Sequence, residues 1–225
     1  LETVSVTAEM NFENGGTIET FVGNQGTADT FNINFDGDES RARANLGTIG
    51  LDVAINEVAV SNEGAGSYSF DLAGNEGDLT AADADGQAAG NGVQISGSGS
   101  GSVDVGVGTS VLTQDNLLSV DNSGADGDAT VSITTGTDAG VNLAGLTDVG
   151  TVQLETDLSP GAGNIDDGTP DIQGIADGTV LQVNDNQSSN ALTVLGDGGS
   201  LVVVATSANS GDALNDGLDV GNVED

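Results

Sequence analysis

The chain contains 225 residues, of which 36 are Asp or Glu and only two, Arg41 and Arg43, are basic, giving a formal net charge of −34. It has no His, no Lys and no Cys. The side chains that most enzymes use as nucleophiles or proton carriers are therefore absent, and we expect no enzymatic activity. Phosphate binding depends on Lys and Arg, so the composition also argues against nucleic acid as a partner.

The excess of negative charge predicts a protein that folds best in salt. A compact state with this net charge repels itself unless salt or bound cations offset the repulsion. At about 1 M ionic strength the Debye length falls to about 3 Å, which screens most exposed charges from one another. We therefore expect an acidic surface adapted to a halophilic or marine environment.

The first residue of the chain predicts secretion, and its lack of long apolar runs argues against a membrane span. Residue 1 is Leu, which removal of an initiator Met does not normally expose, so we interpret this end as the product of precursor cleavage. No run approaches the roughly 18 apolar residues that a membrane-spanning helix requires, so we expect no membrane insertion of the mature chain. The predicted localisation is extracellular or at the cell surface, and no disulfide staples the fold because Cys is absent.

Alternation of apolar and polar residues, the period of a half-buried β-strand, begins at the amino terminus. Val4, Val6, Ala8 and Met10 form the first alternating set. The same pattern recurs in residues 31–35, 68–72, 103–107, 131–133, 152–154, 181–183, 192–194 and 201–205, separated by Gly, Asn, Asp and Ser. It predicts an all-β protein with many short strands and little helix, arranged as an antiparallel β-sandwich of jelly-roll-like or Ig-like type.

One segment, residues 39–58, is the best candidate for a helix. Leu46, Ile49 and Val53 could share one helical face. Gly47 and Gly50 weaken this interpretation, because each Gly costs a helix about 1 kcal/mol relative to Ala.

The composition changes along the chain and predicts three regions. All six aromatic residues lie in the first 70 positions. We expect an aromatic- and Glu-containing β region over 1–76 that includes the amino-terminal extended strand, a Gly/Ser/Asp-rich linker or excursion over 77–102, and an Asp/Gly/Val-rich β region over 103–225. One continuous domain is the alternative.

Paired carboxylates beside glycine are the candidate metal ligands. They occur in three short acidic segments, at Asp36 and Asp38, Asp83 and Asp85, and Asp126 and Asp128. Oxygen ligands converging from a tight loop suit calcium, although no complete EF-hand loop is present. The alternative is an ordinary turn, in which Asp and Gly are favoured for local hydrogen bonding and positive φ.

Two other features bear on what the chain does outside the cell. Asn186 begins the sequence Asn-Gln-Ser, an acceptor pattern for N-glycosylation. The segment carrying Val4, Val6, Ala8 and Met10 could add to the sheet of a neighbouring molecule as a donor strand, since main-chain bonds and alternating side chains supply affinity in such contacts. An ordinary first strand of its own sheet is the alternative.

These observations predict a structural protein that forms a homopolymer. We expect a subunit of a secreted extracellular filament, pilus-like fibre, sheath or surface layer, which polymerises through β-strand contacts with itself. The alternatives are a capsid or tail protein of a virus with a halophilic host, and a calcium-dependent adhesin module.

Overall fold

The computed structural model describes the backbone of residues 3–8, 12–13, 18–21, 29–36, 43–51, 55–74, 79, 91–108, 112, 117–135, 140–156, 158, 170–184, 191–196, 198–206 and 217–222. In chain order the strands are β1 (Thr3–Ala8), β2 (Phe12–Glu13), β3 (Ile18–Phe21), β4 (Asp29–Phe35), β5 (Arg43–Leu51), β6 (Ile55–Asn62), β7 (Ser67–Gly74), β8 (Gly92–Gly97), β9 (Ser102–Gly108), β10 (Val120–Ala125), β11 (Ala129–Thr135), β12 (Val141–Asn142), β13 (Leu146–Thr147), β14 (Thr151–Leu154), β15 (Ile172–Ile175), β16 (Val180–Val183), β17 (Leu192–Gly196), β18 (Val202–Ala205) and β19 (Leu218–Gly221).

The strands belong to three sheets, and the sheets are parallel. The expected β-rich chain with little helix is confirmed, whereas the antiparallel sandwich of jelly-roll-like or Ig-like type is wrong. Alternation shows that one face of each strand is buried, but it does not reveal the direction of the neighbouring strand. From β3 onward, each successive strand lies in a different sheet from the strand before it. The crossover that parallel pairing requires is therefore made by a strand instead of a helix.

The chain divides into two compact units. The first comprises residues 1–106, 118–130 and 147–149. Within it, β4, β6, β8 and β10 lie side by side in the first sheet, and β5, β7 and β9 lie side by side in the second. Phe31 pairs with Val58, Val58 with Val93 and Val93 with Val120, so successive turns take 27, 35 and 27 residues. This repeated alternation between sheets makes the unit a parallel β-solenoid.

The core of the first unit is built from in-register rows of inward-facing side chains. Phe31 pairs with Val58 and Ile33 with Val60, and all four are at most 1% exposed. The rings of Phe35 and Tyr68 stack with centroids 4.4 Å apart and planes 9° from parallel. The clustering of aromatics before residue 71 therefore places the largest core side chains in this unit.

The second unit comprises residues 107–117, 131–146 and 150–225. Here β14, β16 and β18 are neighbours in the second sheet, and β12, β15, β17 and β19 form the third. Leu181 pairs with Val203, and Ile172 with Val194, so these turns take 22 residues each. Its core is aliphatic, and Leu181, Ile172 and Val194 are fully buried.

The segment interpreted as a helix forms strands β5 and β6 instead. Ala44, Leu46 and Ile49 are buried, with an irregularity between Asn45 and Thr48 that shifts the register against β7. Gly47 makes this irregularity possible, because it adopts φ of +65° while its N–H donates to Asn45 Oδ1 at 2.7 Å. A bulge adds one residue to a strand, so the apolar spacing imitates that of a helix.

Part of the predicted linker is ordered within the solenoid. Of residues 77–102, residue 79 and residues 91–102 are described, and the latter form β8, a turn and the start of β9. The backbone N–H groups of Gly99 and Gly101 donate to the carbonyl oxygens of Asn62 and Gly64, each at 2.9 Å. The Ser-Gly alternation is thus a turn that stacks on the turn of the preceding coil.

Candidate assembly surface

Strand β18 ends the second sheet and exposes valine side chains. In the described part of the chain, it pairs with β16 and no strand lies on its other side. Val202 and Val204 are 51% and 37% exposed, and they are the exposed large hydrophobic residues of the described structure. An uncovered apolar strand edge is a template for pairing with another chain.

The hydrogen bonds of β18 show which backbone groups face outward. Gly178 N–H donates to the carbonyl oxygen of Ser200 at 3.3 Å, and Thr206 N–H donates to that of Val183 at 2.9 Å. Ser200 and Thr206 therefore direct their peptide groups toward β16. The N–H and C=O groups of successive residues in a strand point to opposite sides. Those of Val203 and Ala205 therefore point away from β16, toward the side on which the described residues place no strand.

Strand β19 ends the third sheet in the same way. It pairs with β17, and the described residues place no strand beyond it. Leu218 and Val220 are half-buried, although their register partners Leu192 and Val194 are fully buried. The last turn of the second unit therefore exposes side chains at positions that are core positions one turn earlier. We call the outer sides of β18 and β19 the terminal edge.

The two strands of the terminal edge contain few charged residues. Strand β18 reads Val-Val-Val-Ala and has no charged residue, while β19 has one, the exposed Asp219. Natural edge strands are commonly protected by charge, proline or a covering segment. In a chain of net charge −34, an uncharged valine strand at the end of a sheet is a departure from this rule.

Strand β1 is the corresponding edge of the first sheet. It pairs in parallel with β4, placing Val4, Val6 and Ala8 opposite Phe31, Ile33 and Phe35, and it is the first strand in the sheet order. The predicted polymerisation segment is thus a strand in its own sheet as well as an edge, while Met10 lies outside the described residues. Its donation to a neighbour stays a prediction. We call the outer side of β1 the initial edge.

The predicted metal ligands are only partly described. Asp36, Asp126 and Asp128 are exposed, and Asp38, Asp83 and Asp85 lie outside the described residues. Asp126 and Asp128 belong to the turn between β10 and β11, where Asp126 N–H donates to the Gly97 carbonyl oxygen at 3.1 Å and the Asp128 carbonyl oxygen accepts from Val103 N–H at 2.9 Å. Across the described ranges, no group of three or more acidic side chains is placed to hold a metal ion.

Several carboxylates instead link one turn of the chain to the next. Ser98 donates to Glu63 Oε2 through its hydroxyl at 2.7 Å and its N–H at 3.3 Å. Ser200 does the same to Asp177 Oδ1, at 3.0 and 2.9 Å. These hydrogen bonds hold the pKa of the Glu63 and Asp177 carboxyl groups below the ordinary value, because they stabilise the ionised form.

Sequence reasoning missed these acid–hydroxyl links for a simple reason. The serine partners of Glu63 and Asp177 are 35 and 23 positions away in the sequence. Because the turns differ in length, no fixed sequence spacing predicts these pairs. The sequence pattern predicts Asp and Ser as residues of local turns, which is correct for Asp121, whose pKa is lowered by hydrogen bonds from nearby Ser123.

Asn186, the predicted glycosylation site, lies outside the described residues. Among the residues that the structure describes, no helix is long and apolar enough to cross a membrane. No family model, curated protein or solved structure matches this chain.

Proposed function

We propose that this chain is a structural subunit of a secreted extracellular assembly and that it polymerises through β-strand contacts with other copies. The observation that carries the proposal is the terminal edge, where Val202 and Val204 are exposed on a strand that has no second neighbour among the described residues. Burying such a strand against another removes apolar area from water and satisfies outward-facing peptide groups.

The composition supports assembly rather than turnover. The chain lacks His, Lys and Cys, so a reaction would have to rely on carboxylates, hydroxyls or an oxygen-bound metal. The described acidic side chains with lowered pKa values are bonded to serines of a neighbouring turn or of their own. Their chemistry is that of structural links in the solenoid.

Salt is expected to control the assembly. Two copies of a chain with net charge −34 repel one another at low ionic strength, and screening shortens the range of that repulsion from about 10 Å at 0.1 M to about 3 Å at 1 M. Once the repulsion is screened, the uncharged strand β18 of the terminal edge can approach another copy. An extracellular medium of high ionic strength fits this requirement.

The test is sedimentation velocity and negative-stain imaging of the purified chain between 0.1 and 2 M NaCl, about the range over which screening becomes complete. We expect polymers in high salt that are lost in the double variant Val202→Asp/Val204→Asp. Ser123→Asp/Thr147→Asp adds the same charge at exposed positions of other strands and should still assemble.

Two outcomes would contradict the proposal. A wild-type chain that stays monomeric at every salt concentration would remove assembly as its function. Equal loss of assembly in both double variants would show that added charge, rather than the terminal edge, decides the result. Closed shells in the images would favour the capsid alternative over a filament or layer.

A further inference from the structure

Among the described residues of the second unit, no strand lies beyond β18 in the second sheet. Val203 is half-buried and Ala205 exposed, although both occupy register positions whose partners on β16, Leu181 and Val183, are fully buried. A further parallel strand beyond β18 would cover Val203 and Ala205 in the way that β18 covers Leu181 and Val183 of β16. A strand that continued this ladder would run parallel to β18 and would carry small apolar side chains at alternate positions.

The negative charge of the chain restricts which strands could pair with the terminal edge. The terminal edge belongs to a chain with 36 carboxylates, so another acidic surface would be repelled unless the contacting strand were itself neutral. A neutral strand avoids this penalty and also avoids burying an unpaired charge, which costs several kcal/mol.

Strand β1 of a second copy meets these requirements. Its six residues, Thr3–Ala8, are uncharged and carry valine or alanine at every second position. Its backbone runs parallel to β4, and its initial edge has no neighbour among the described residues. The register with β4 places Val4, Val6 and Ala8 on the row of the core positions Phe31, Ile33 and Phe35.

We infer that the terminal edge of one copy is the acceptor for the initial edge of a second copy, so that the parallel ladder continues from one molecule into the next. The inference rests on the proposed function and names its contact. Strand β1 stays paired with β4 while its other side pairs with the neighbour, so no strand leaves its own sheet. Because the two edges differ, the contact between copies is head-to-tail. If the rotation that relates one copy to the next does not close into a ring, repeated contacts generate an open filament.

Proline substitutions on β18 test the acceptor. Val203 N–H faces away from β16, so Val203→Pro removes a donor from the intermolecular contact while leaving the β16–β18 hydrogen bonds in place. We expect this variant to keep its circular dichroism spectrum. It should assemble about tenfold more weakly, because the contact loses one backbone hydrogen bond. Val204→Pro is the matched control, because it removes a donor that faces β16, and it should instead destabilise the monomer.

Cysteine cross-linking tests the partner and the register, and it succeeds even where a proline variant fails to fold. The wild-type chain has no Cys, so each introduced thiol is the only one present. Residues paired across neighbouring strands are about 5 Å apart, within the range that a disulfide spans. One set of proteins carries Thr3→Cys, Ser5→Cys or Thr7→Cys, and the other carries Val204→Cys or Asp219→Cys at exposed positions of the terminal edge.

The expected result is a covalent heterodimer when one member of each set is mixed under assembly conditions and oxidised. Thr147→Cys, exposed on β13, replaces the terminal-edge cysteine in the control mixture and should give only background. If wild-type polymers form but neither Val204→Cys nor Asp219→Cys cross-links to any β1 position, the head-to-tail contact is wrong while assembly itself stands. If no polymers form at all, the proposed function fails.

Discussion

Asp171 and Thr193, which are 22 positions apart, are held together by three hydrogen bonds between adjacent turns of the second unit. Asp171 Oδ2 accepts from both the N–H and the hydroxyl of Thr193, at 2.9 and 2.8 Å, and Asp171 N–H donates to Thr193 Oγ1 at 2.8 Å. Both residues are buried, so a carboxylate has been accommodated inside the solenoid by a hydroxyl of the next turn.

Thr193→Val should destabilise the protein through this link. The substitution keeps the shape of the side chain but removes the hydroxyl from a buried carboxylate, at an expected cost of about 1–3 kcal/mol in the free energy of unfolding. Urea denaturation followed by circular dichroism measures the change. Thr147→Val, at an exposed site, is the control and should stay within about 0.5 kcal/mol of wild type. Equal stability of the two variants would show that the buried link contributes nothing.

The turn that contains Asp126 and Asp128 requires glycine between them for steric reasons. A Cβ atom at Gly127 would lie 2.0 Å from the carbonyl oxygen of Gly101, so one of the two stacked turns would have to move. We expect Gly127→Ala to lower the free energy of unfolding by about 3 kcal/mol, toward the upper end of single substitutions.

Gly124→Ala provides the comparison for that substitution. A Cβ atom there would meet the Ile95 carbonyl oxygen at 3.2 Å, which a small displacement relieves, so its effect should remain below about 1 kcal/mol. Thermal unfolding of both variants gives the difference. If Gly127→Ala were tolerated as well as Gly124→Ala, the stacking of the turns would not constrain that position.

Acid should weaken the links made by Glu63 and Asp177. Their pKa values are lowered in the folded state by hydrogen bonds from Ser98 and Ser200. Each link therefore contributes stability above the unfolded pKa of about 4 and loses it as the pH falls through the lower folded value. Asp71 acts in the opposite direction, because burial raises its pKa and its protonation on acidification relieves that cost.

A variant isolates the serine contribution from these opposing effects. In Ser98→Ala/Ser200→Ala, the loss of stability relative to wild type should be present at pH 7. It should shrink as the pH falls below the ordinary carboxyl pKa of about 4, because protonation removes the charge that the serine hydroxyl groups stabilise. Chemical denaturation over this pH range measures it. A difference that is independent of pH would mean that the serines act without regard to carboxylate charge.

Salt should stabilise the monomer itself. Because 36 carboxylates face two arginines, the midpoint of thermal unfolding should rise steadily from 0.05 to 2 M NaCl, about the range over which the Debye length falls below the distance between surface charges. CaCl2 compared with MgCl2 at equal ionic strength, with a chelator control, separates screening from specific binding. Calcium acting at micromolar concentration would support acidic-turn sites, and insensitivity to every salt would refute the electrostatic argument.

The alternation of apolar and polar residues determined the β-rich character of the chain. The strands at residues 31–35, 68–72 and 181–183 fall where the pattern predicts them. This works because the alternation of side chains between the two faces of a strand is a property of a few consecutive residues. Composition likewise determined the excess of negative charge and the absence of His, Lys and Cys.

Only the tertiary structure decided the direction of the strands and the identity of their neighbours. Phe31 lies beside Val58 rather than beside a residue across a tight hairpin, and nothing in either local sequence encodes that separation. The bulge at Gly47 and the bond from Ser98 to Glu63 depend in the same way on a strand or a turn belonging to another coil. The apolar–polar periodicity of a strand depends only on its own few residues. The partner of a strand is a distant segment reached through turns of variable length, so it is determined by the packing of the whole fold.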